Sequence, residues 1–192
     1  MRPPAWSIVI PAFNEARRLP PYLEEVVTFF EGRAEPYEVV VVDDGSTDGT
    51  ADAAGRVAVR HAAVRVGMLA ARGRYRLFAD ADGATPIGEL KRLEPALAAG
   101  ADVVIGSRAL ADPAVSVVAR RHRVVAGRAF HWLVRRVGLR GVADSQCGFK
   151  AFTAAAAEQL FGPLRTRGFG FDVELLLRAQ RAGLRVAEVP VN

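Results

Sequence analysis

Short apolar runs alternate with stretches of helical periodicity along this chain. "WSIVIPAF" (residues 6–13), "YEVVVV" (37–42), "YRLFA" (75–79), "ADVVIGSR" (101–108) and "LRVAEVPV" (184–191) are nearly continuous apolar runs. That is the pattern of strands buried on both faces. Between the first two, Leu23, Val26, Val27 and Phe30 form a helical stripe behind Pro20 and Pro21, which suit a helix start better than an interior. "TPIGELKRLEPALAAG" (85–100), "TAAAAEQLFG" (153–162) and "FDVELLLRAQRAG" (171–183) predict further helices, each ending at a glycine. Residues 49–72 read as helix with no strand between. They form either one long helix or two whose connector is missing. "GVADSQCGFKAF" (141–152) reads as a loop.

This alternation predicts a single α/β domain with a mostly parallel sheet and helices on both faces. Ligands of such sheets bind outside the carboxyl ends of the strands. Polar clusters fall at those ends: Asn14 with Glu15, Asp43 with Asp44, Asp80 with Asp82, and Ser107 with Arg108.

Composition narrows the class. At 192 residues and 51% hydrophobic, the chain can bury a sizeable core, which argues against disorder. No apolar run approaches the roughly 20 residues that span a bilayer. The N-terminal stretch is too rich in proline, and its apolar part too short, for a secretory signal. Cys147 is the sole cysteine, which fits a reducing, cytosolic compartment and excludes an intrachain disulfide.

The net charge of +5 is unevenly placed, because residues 113–143 hold seven arginines and no acid. Wound as a helix, this segment puts Val118, Val125, Ala129, Trp132 and Leu133 on one side, and Arg121, Arg128 and Arg135 on another. Such a helix can lie on an anionic membrane or hold a phosphate, or it can be a surface helix with a solvated face.

Asp80 and Asp82 are the most informative pair. Two carboxylates one residue apart on a turn can face the same way and suit a hard divalent cation, Mg2+ or Mn2+. Such a cation keeps positions open for substrate phosphates. The alternative is that both acids cap the helix beginning near Pro86. Asp43 and Asp44 could receive hydrogen bonds from a base or ribose, or simply belong to a turn rich in turn formers. Cys147 has no adjacent base and reads as a buried small side chain. His61, His122 and His131 lack metal-ligand spacing.

"SIVIPAFNEARRL", "VVVVDDGSTDGT", "FADADGAT", "DVVIGSR" and "DSQCGFKAF" resemble, in order and approximate spacing, the inverting GT-A glycosyltransferases of family 2. The last three, with "FDVELLLRA", look most like the dolichyl- or polyprenyl-phosphate β-glucosyltransferases, whose near relatives are dolichyl-phosphate mannose synthases. The resemblance covers nearly the whole chain. It implies a GT-A (Rossmann-like) catalytic domain over residues 1–192, a UDP-glucose donor, a lipid-phosphate acceptor and a Mg2+ or Mn2+ ion. GDP-mannose is the alternative donor. It places the protein on the cytoplasmic face of a membrane as a peripheral enzyme, with no nucleic-acid partner. By similarity, Pro11, Ala12, Asn14, Glu15, Asp43, Asp44, Asp80, Ala81 and Asp82 bind the nucleotide-sugar, with Asp80 and Asp82 on the metal. Ser107, Arg108, Ser145, Gln146 and Lys150 border the acceptor, and Asp82, Asp144, Arg108 and Lys150 carry the chemistry, Asp144 as the candidate base.

Two departures from the family matter. Members usually carry a third strand and a glycine- and lysine-containing turn where Arg60 here runs straight into His61. A segment is therefore expected to be missing at 60/61, and a membrane-contacting tail after "PVN". "LFADADGAT" also resembles the nucleophile motif of haloacid-dehalogenase-type phosphatases, but Asp43 and Asp44 lie upstream of it rather than downstream. A receiver-type phosphoacceptor leaves the basic and "SQCGFK" segments unexplained. A GT-A-shaped binding module without turnover remains a further reading.

Overall fold

A computed structural model of the protein describes residues 3–53, 63–110, 139, 141–166 and 168–192. The 60/61 junction, the basic stretch around Arg121, Arg128 and Arg135, and all three histidines lie outside the described residues.

The described strands are β1 (Trp6–Ala12), β2 (Tyr37–Asp43), β3 (Tyr75–Ala79), β4 (Val103–Ser107), β5 (Phe149–Thr153) and β6 (Val186–Pro190). They form one sheet in the order β2-β1-β3-β5-β4-β6. β1 pairs in parallel with β2 and β3, and β4 with β6, while β5 runs antiparallel between β3 and β4. The expected mostly parallel α/β sheet is therefore present.

β5 corrects the reading of 141–152 as loop. A lysine stands at the centre of this five-residue segment, so no apolar run announces it. Its strand character comes from pairing on both sides, Phe78 and Ile105 facing Lys150 in register.

Helices α1 (Leu19–Glu31) and α4 (Leu90–Ala98) supply Leu19, Val26, Phe30, Leu90 and Leu93 to one face of the sheet. There they meet Ile8, Ile10, Leu77, Val104 and Phe149. Between α1 and α4 come α2 (Thr50–Ala53) and α3 (Ala63–Ala70); residues 54–62 separate those two and are not described. On the other face, α3, α5 (Ala154–Phe161) and α6 (Phe171–Arg181) bring Met68, Leu160, Phe161, Leu175 and Leu176 onto Val9, Phe78, Ile105 and Phe152. Alternate strand residues thus serve opposite cores, which is why the strands read as continuous apolar runs. No helix among the described residues is long and apolar enough to cross a membrane.

The parallel strands end at one edge of the sheet, and β5, running the other way, begins there. Asp43, Asp80, Ser107 and Gly148 are thereby collected along that edge.

Candidate functional site

The loops after β1 and β2 are stitched to each other. Asn14 adopts a left-handed backbone (φ 56°). Its N–H donates to Ser46 Oγ at 2.8 Å, and its Oδ1 accepts from the Thr47 N–H at 3.0 Å. Glu15 N–H donates to Thr50 Oγ1 at 2.8 Å, and Ala16 N–H to Asp48 Oδ2 at 3.1 Å. The Thr50 hydroxyl bond and neighbouring amides hold the Asp48 carboxyl below its ordinary range. Asp43 is buried and accepts from the Ser46 N–H and hydroxyl. Asn14 and Asp43 therefore shape the loops. Glu15 receives Arg18 on Oε1, while its buried Oε2 has no protein partner.

The Asp80–Asp82 turn follows β3. Asp80 N–H donates to Gly148 O at 3.0 Å, and a Cβ on Gly148 would stand 1.7 Å from Asp80 Oδ2. Ala81 is buried behind the turn. Gly83 has φ 62° and lies against the ring of Tyr22, so both its conformation and its lack of side chain are required. Asp82 accepts from the Ala84 N–H (3.0 Å) two residues on, and its Oδ2 lies 3.6 Å from Arg18 Nη1.

Neither acid caps the following helix. The first amide there, Ile87 N–H, is taken by Glu25 Oε1 at 3.0 Å. Burial, and then the neighbouring charge of Asp82, push the Asp80 carboxyl up to about 6. The buried Tyr22 hydroxyl, unpartnered, is also pushed upward by burial and by Glu25, Asp80 and Asp82.

Two like charges held together at the mouth of a strand fit a hard cation, which would relieve their repulsion. Among the described residues, no group of three or more His, Cys, Asp or Glu could hold a metal by itself. The pair would thus share a cation with a ligand rather than cage it.

Farther along the edge, Ser107 is buried at the end of β4, and its Oγ accepts from the Ala109 N–H at 3.3 Å. Arg108 N–H donates to Asp144 Oδ2 at 3.2 Å. Glu188, which the sequence reading missed, accepts from Ala143 N–H at 2.8 Å and Asp144 N–H at 2.7 Å. Ser145 is buried and Gln146 exposed. Burial raises the Cys147 thiol, as expected of a small core side chain.

Lys150 requires a correction. It was expected to touch the acceptor, yet it is 0% exposed. Its Nζ donates to Cys147 O at 2.5 Å and to Asp172 Oδ1 at 2.7 Å. The strand that hid in the sequence turns this lysine into the core.

A cleft of about 610 Å³ opens beside the turn. Of the residues expected to bind the nucleotide-sugar, Pro11, Ala12, Asp44 and Asp80 line it; Asn14, Glu15, Asp43, Ala81 and Asp82 do not. Phe13, Arg65, Arg165 and Phe171 line it without having been foreseen. Phe13 is 58% exposed, because β1 ends at Ala12 and releases it to the surface. Arg65 also anchors α3 to the end of α5, donating to Phe161 O (3.0 Å) and Gly162 O (2.8 Å). A second hollow, about 660 Å³ between α5 and α6, holds none of the residues singled out from sequence.

Residues 7–161 match the model of Glycosyl transferase family 2. The chain belongs to that family. Relatives include the dolichyl-phosphate beta-glucosyltransferases of Drosophila melanogaster and Homo sapiens, 38% and 35% identical; each match covers 97% of this chain and 66% of the relative. That of Saccharomyces cerevisiae is 34% identical with the same coverage. The chain thus spans slightly less than two thirds of the length of these curated relatives. The Drosophila match runs over 214 residues against a chain of 192, so that relative carries residues within the matched span that this family-2 chain lacks.

Among solved structures, glucosyl-3-phosphoglycerate synthase from Mycobacterium tuberculosis with Mn2+ and UDP-glucose superposes with a TM-score of 0.70 at 22% identity, over 98% of this chain and 69% of that one. The same enzyme with phosphoglyceric acid gives a TM-score of 0.71, over 98% and 70%. At that identity the likeness speaks to the fold alone, and the fold is GT-A.

Proposed function

We propose that residues 1–192 form the catalytic domain of an inverting glycosyltransferase that moves glucose from UDP-glucose onto a dolichyl or polyprenyl phosphate. The observation that carries this reading is the Asp80–Asp82 turn. Asp80 lines the cleft, neither acid caps the following helix, and with Asp82 two residues on, the turn would offer two acids to a metal and diphosphate. The relatives' shared name supplies the acceptor and sugar, and the Mn2+ and UDP-glucose of the mycobacterial enzyme supply the donor by analogy.

In this reading an acceptor phosphate oxygen attacks the anomeric carbon, and UDP departs from the opposite face. A phosphate monoester has its second pKa near 6, so at neutral pH it is largely a dianion and needs little help from a base. The protein's work is alignment of two anionic reactants and neutralisation of the leaving group. Asp80 and Asp82 would hold Mg2+ or Mn2+, which supplies positive charge to the departing diphosphate. Arg108 offsets charge at the acceptor, its backbone fixed by Asp144. Asp144, gripped by Glu188, orients the acceptor or takes a proton. Lys150 contributes from beneath, as a buried charge within electrostatic reach of Asp80.

In this reading the enzyme works peripherally on the cytoplasmic leaflet, where it meets anionic lipid through the arginine-rich residues 113–143. Their positive charge suits anionic lipid.

UDP release from UDP-glucose and Mn2+ on adding polyprenyl phosphate tests the activity. Release with GDP-mannose alone would reassign the donor. Binding of UDP-glucose without release would reduce the chain to a binding module.

A further inference from the structure

A lysine buried in the centre of a sheet is costly. Desolvation takes several kcal/mol per ion, and replacing a buried ion pair by packed apolar residues is often neutral or stabilising. Lys150 nevertheless lies on the core face of β5, with Phe78 and Ile105 opposite it and its ammonium shared between Cys147 O and Asp172. Stability alone gives a weak reason for the pair.

The location of its two ends gives a better one. Cys147 precedes Gly148, whose carbonyl receives the Asp80 amide and whose bare Cα makes room for the Asp80 carboxylate. Asp172 lies in the first turn of α6, beside Phe171, which lines the cleft with Thr166 and Gly168. One ammonium therefore ties the segment beneath the acidic turn to the helix that begins with the cleft-lining Phe171.

We propose that Asp172 is a positioning residue: acting through Lys150, it locks the Asp80 turn and the α6 wall into one unit, fixing the two sides that a nucleoside diphosphate would bridge. This rests on the donor site assigned above. Neither side chain touches the ligand; both set the spacing of groups that do. Outer partners of this kind typically matter 10–100-fold for the affinity of the site they support.

The test is calorimetric titration of UDP with Mn2+ into wild type, Asp172→Asn, Lys150→Met and the double variant, with melting temperatures measured alongside. Each single change should weaken binding at least about tenfold. The double variant buries no unpaired charge, so it should regain most of the lost melting temperature while its affinity stays low. Asp172→Glu, which keeps the pair, should retain most of the affinity. Full affinity in Asp172→Asn, or affinity that returns with melting temperature in the double variant, would overturn the brace. If the single variants fail to fold, the double variant and Asp172→Glu decide. A wild type that binds no nucleoside diphosphate would overturn the functional reading and the brace together; a wild type that binds, with Asp172→Asn binding equally, overturns the brace alone.

Discussion

The Asp80 carboxylate occupies the space where a side chain on Gly148 would begin, a built Cβ falling 1.7 Å from Oδ2. Asp80 directly follows β3 and Gly148 directly precedes β5, and the two meet because those strands run antiparallel as neighbours. Gly148→Ala must therefore displace a carboxylate that is largely buried. The expected result is a loss of Mn2+-dependent UDP affinity of at least about tenfold, together with a stability loss of about 1–3 kcal/mol from overpacking. Titration calorimetry and denaturant melts read the two effects separately.

Asp80 also carries a pH signature. Its folded-state value is raised to about 6 from an ordinary 3.8, so the folded protein favours the protonated acid. The resulting stability is fully present below the unfolded value and is lost as pH rises through about 6. Asp80→Asn removes the cost of burying the charge. It should stabilise the metal-free protein at pH 8 by on the order of 1–2 kcal/mol, with the advantage vanishing toward pH 4. Melting curves across that range check it. A variant that is less stable than wild type at pH 8 would contradict the assignment.

A metal competes with protons for the same carboxylate. Stabilisation of the wild type by Mn2+ should therefore be strong at pH 7.5 and fade as pH falls below about 6. Thermal shift with and without Mn2+, over a pH series, follows it directly. An unchanged shift at pH 5 would place the metal elsewhere.

Glu188 grips two successive amides and so holds Asp144 and, through it, the Arg108 backbone. Glu188→Ala leaves both amides without that acceptor, at about 1–3 kcal/mol for each that stays buried and unsatisfied. In the proposed reading these residues border the acceptor, so kcat should fall and acceptor KM rise while donor affinity holds. Steady-state kinetics with varied UDP-glucose and varied polyprenyl phosphate separate the two.

Much of this was legible in the chain. Buried parallel strands advertise themselves as apolar runs, and the acid pairs that end β2 and β3 stood out against them. Setting aside the helix-cap reading of Asp80 and Asp82 needed the fold, because the capping carboxylate, Glu25, sits 62 residues before the amide it receives. β5 escaped because its lysine breaks the apolar pattern and its partners are distant in sequence. The errors that followed were of one kind. With β5 taken as a loop, Lys150 was placed at the acceptor, and its partner Asp172 drew no reading at all. Glu188 was hidden in the same way, as a single acid inside a closing strand. Arg165, in the glycine-punctuated stretch before α6, and Phe171, the first residue of that helix, had no periodicity to mark them as a cleft wall.

The most direct measurement is UDP release from UDP-glucose by wild type and Asp82→Ala, with Mn2+ and polyprenyl phosphate present. If a cation held by the acidic turn neutralises the departing nucleotide, the variant should turn over at least about 10²-fold more slowly. Equal turnover by the two proteins would remove that turn from the chemistry.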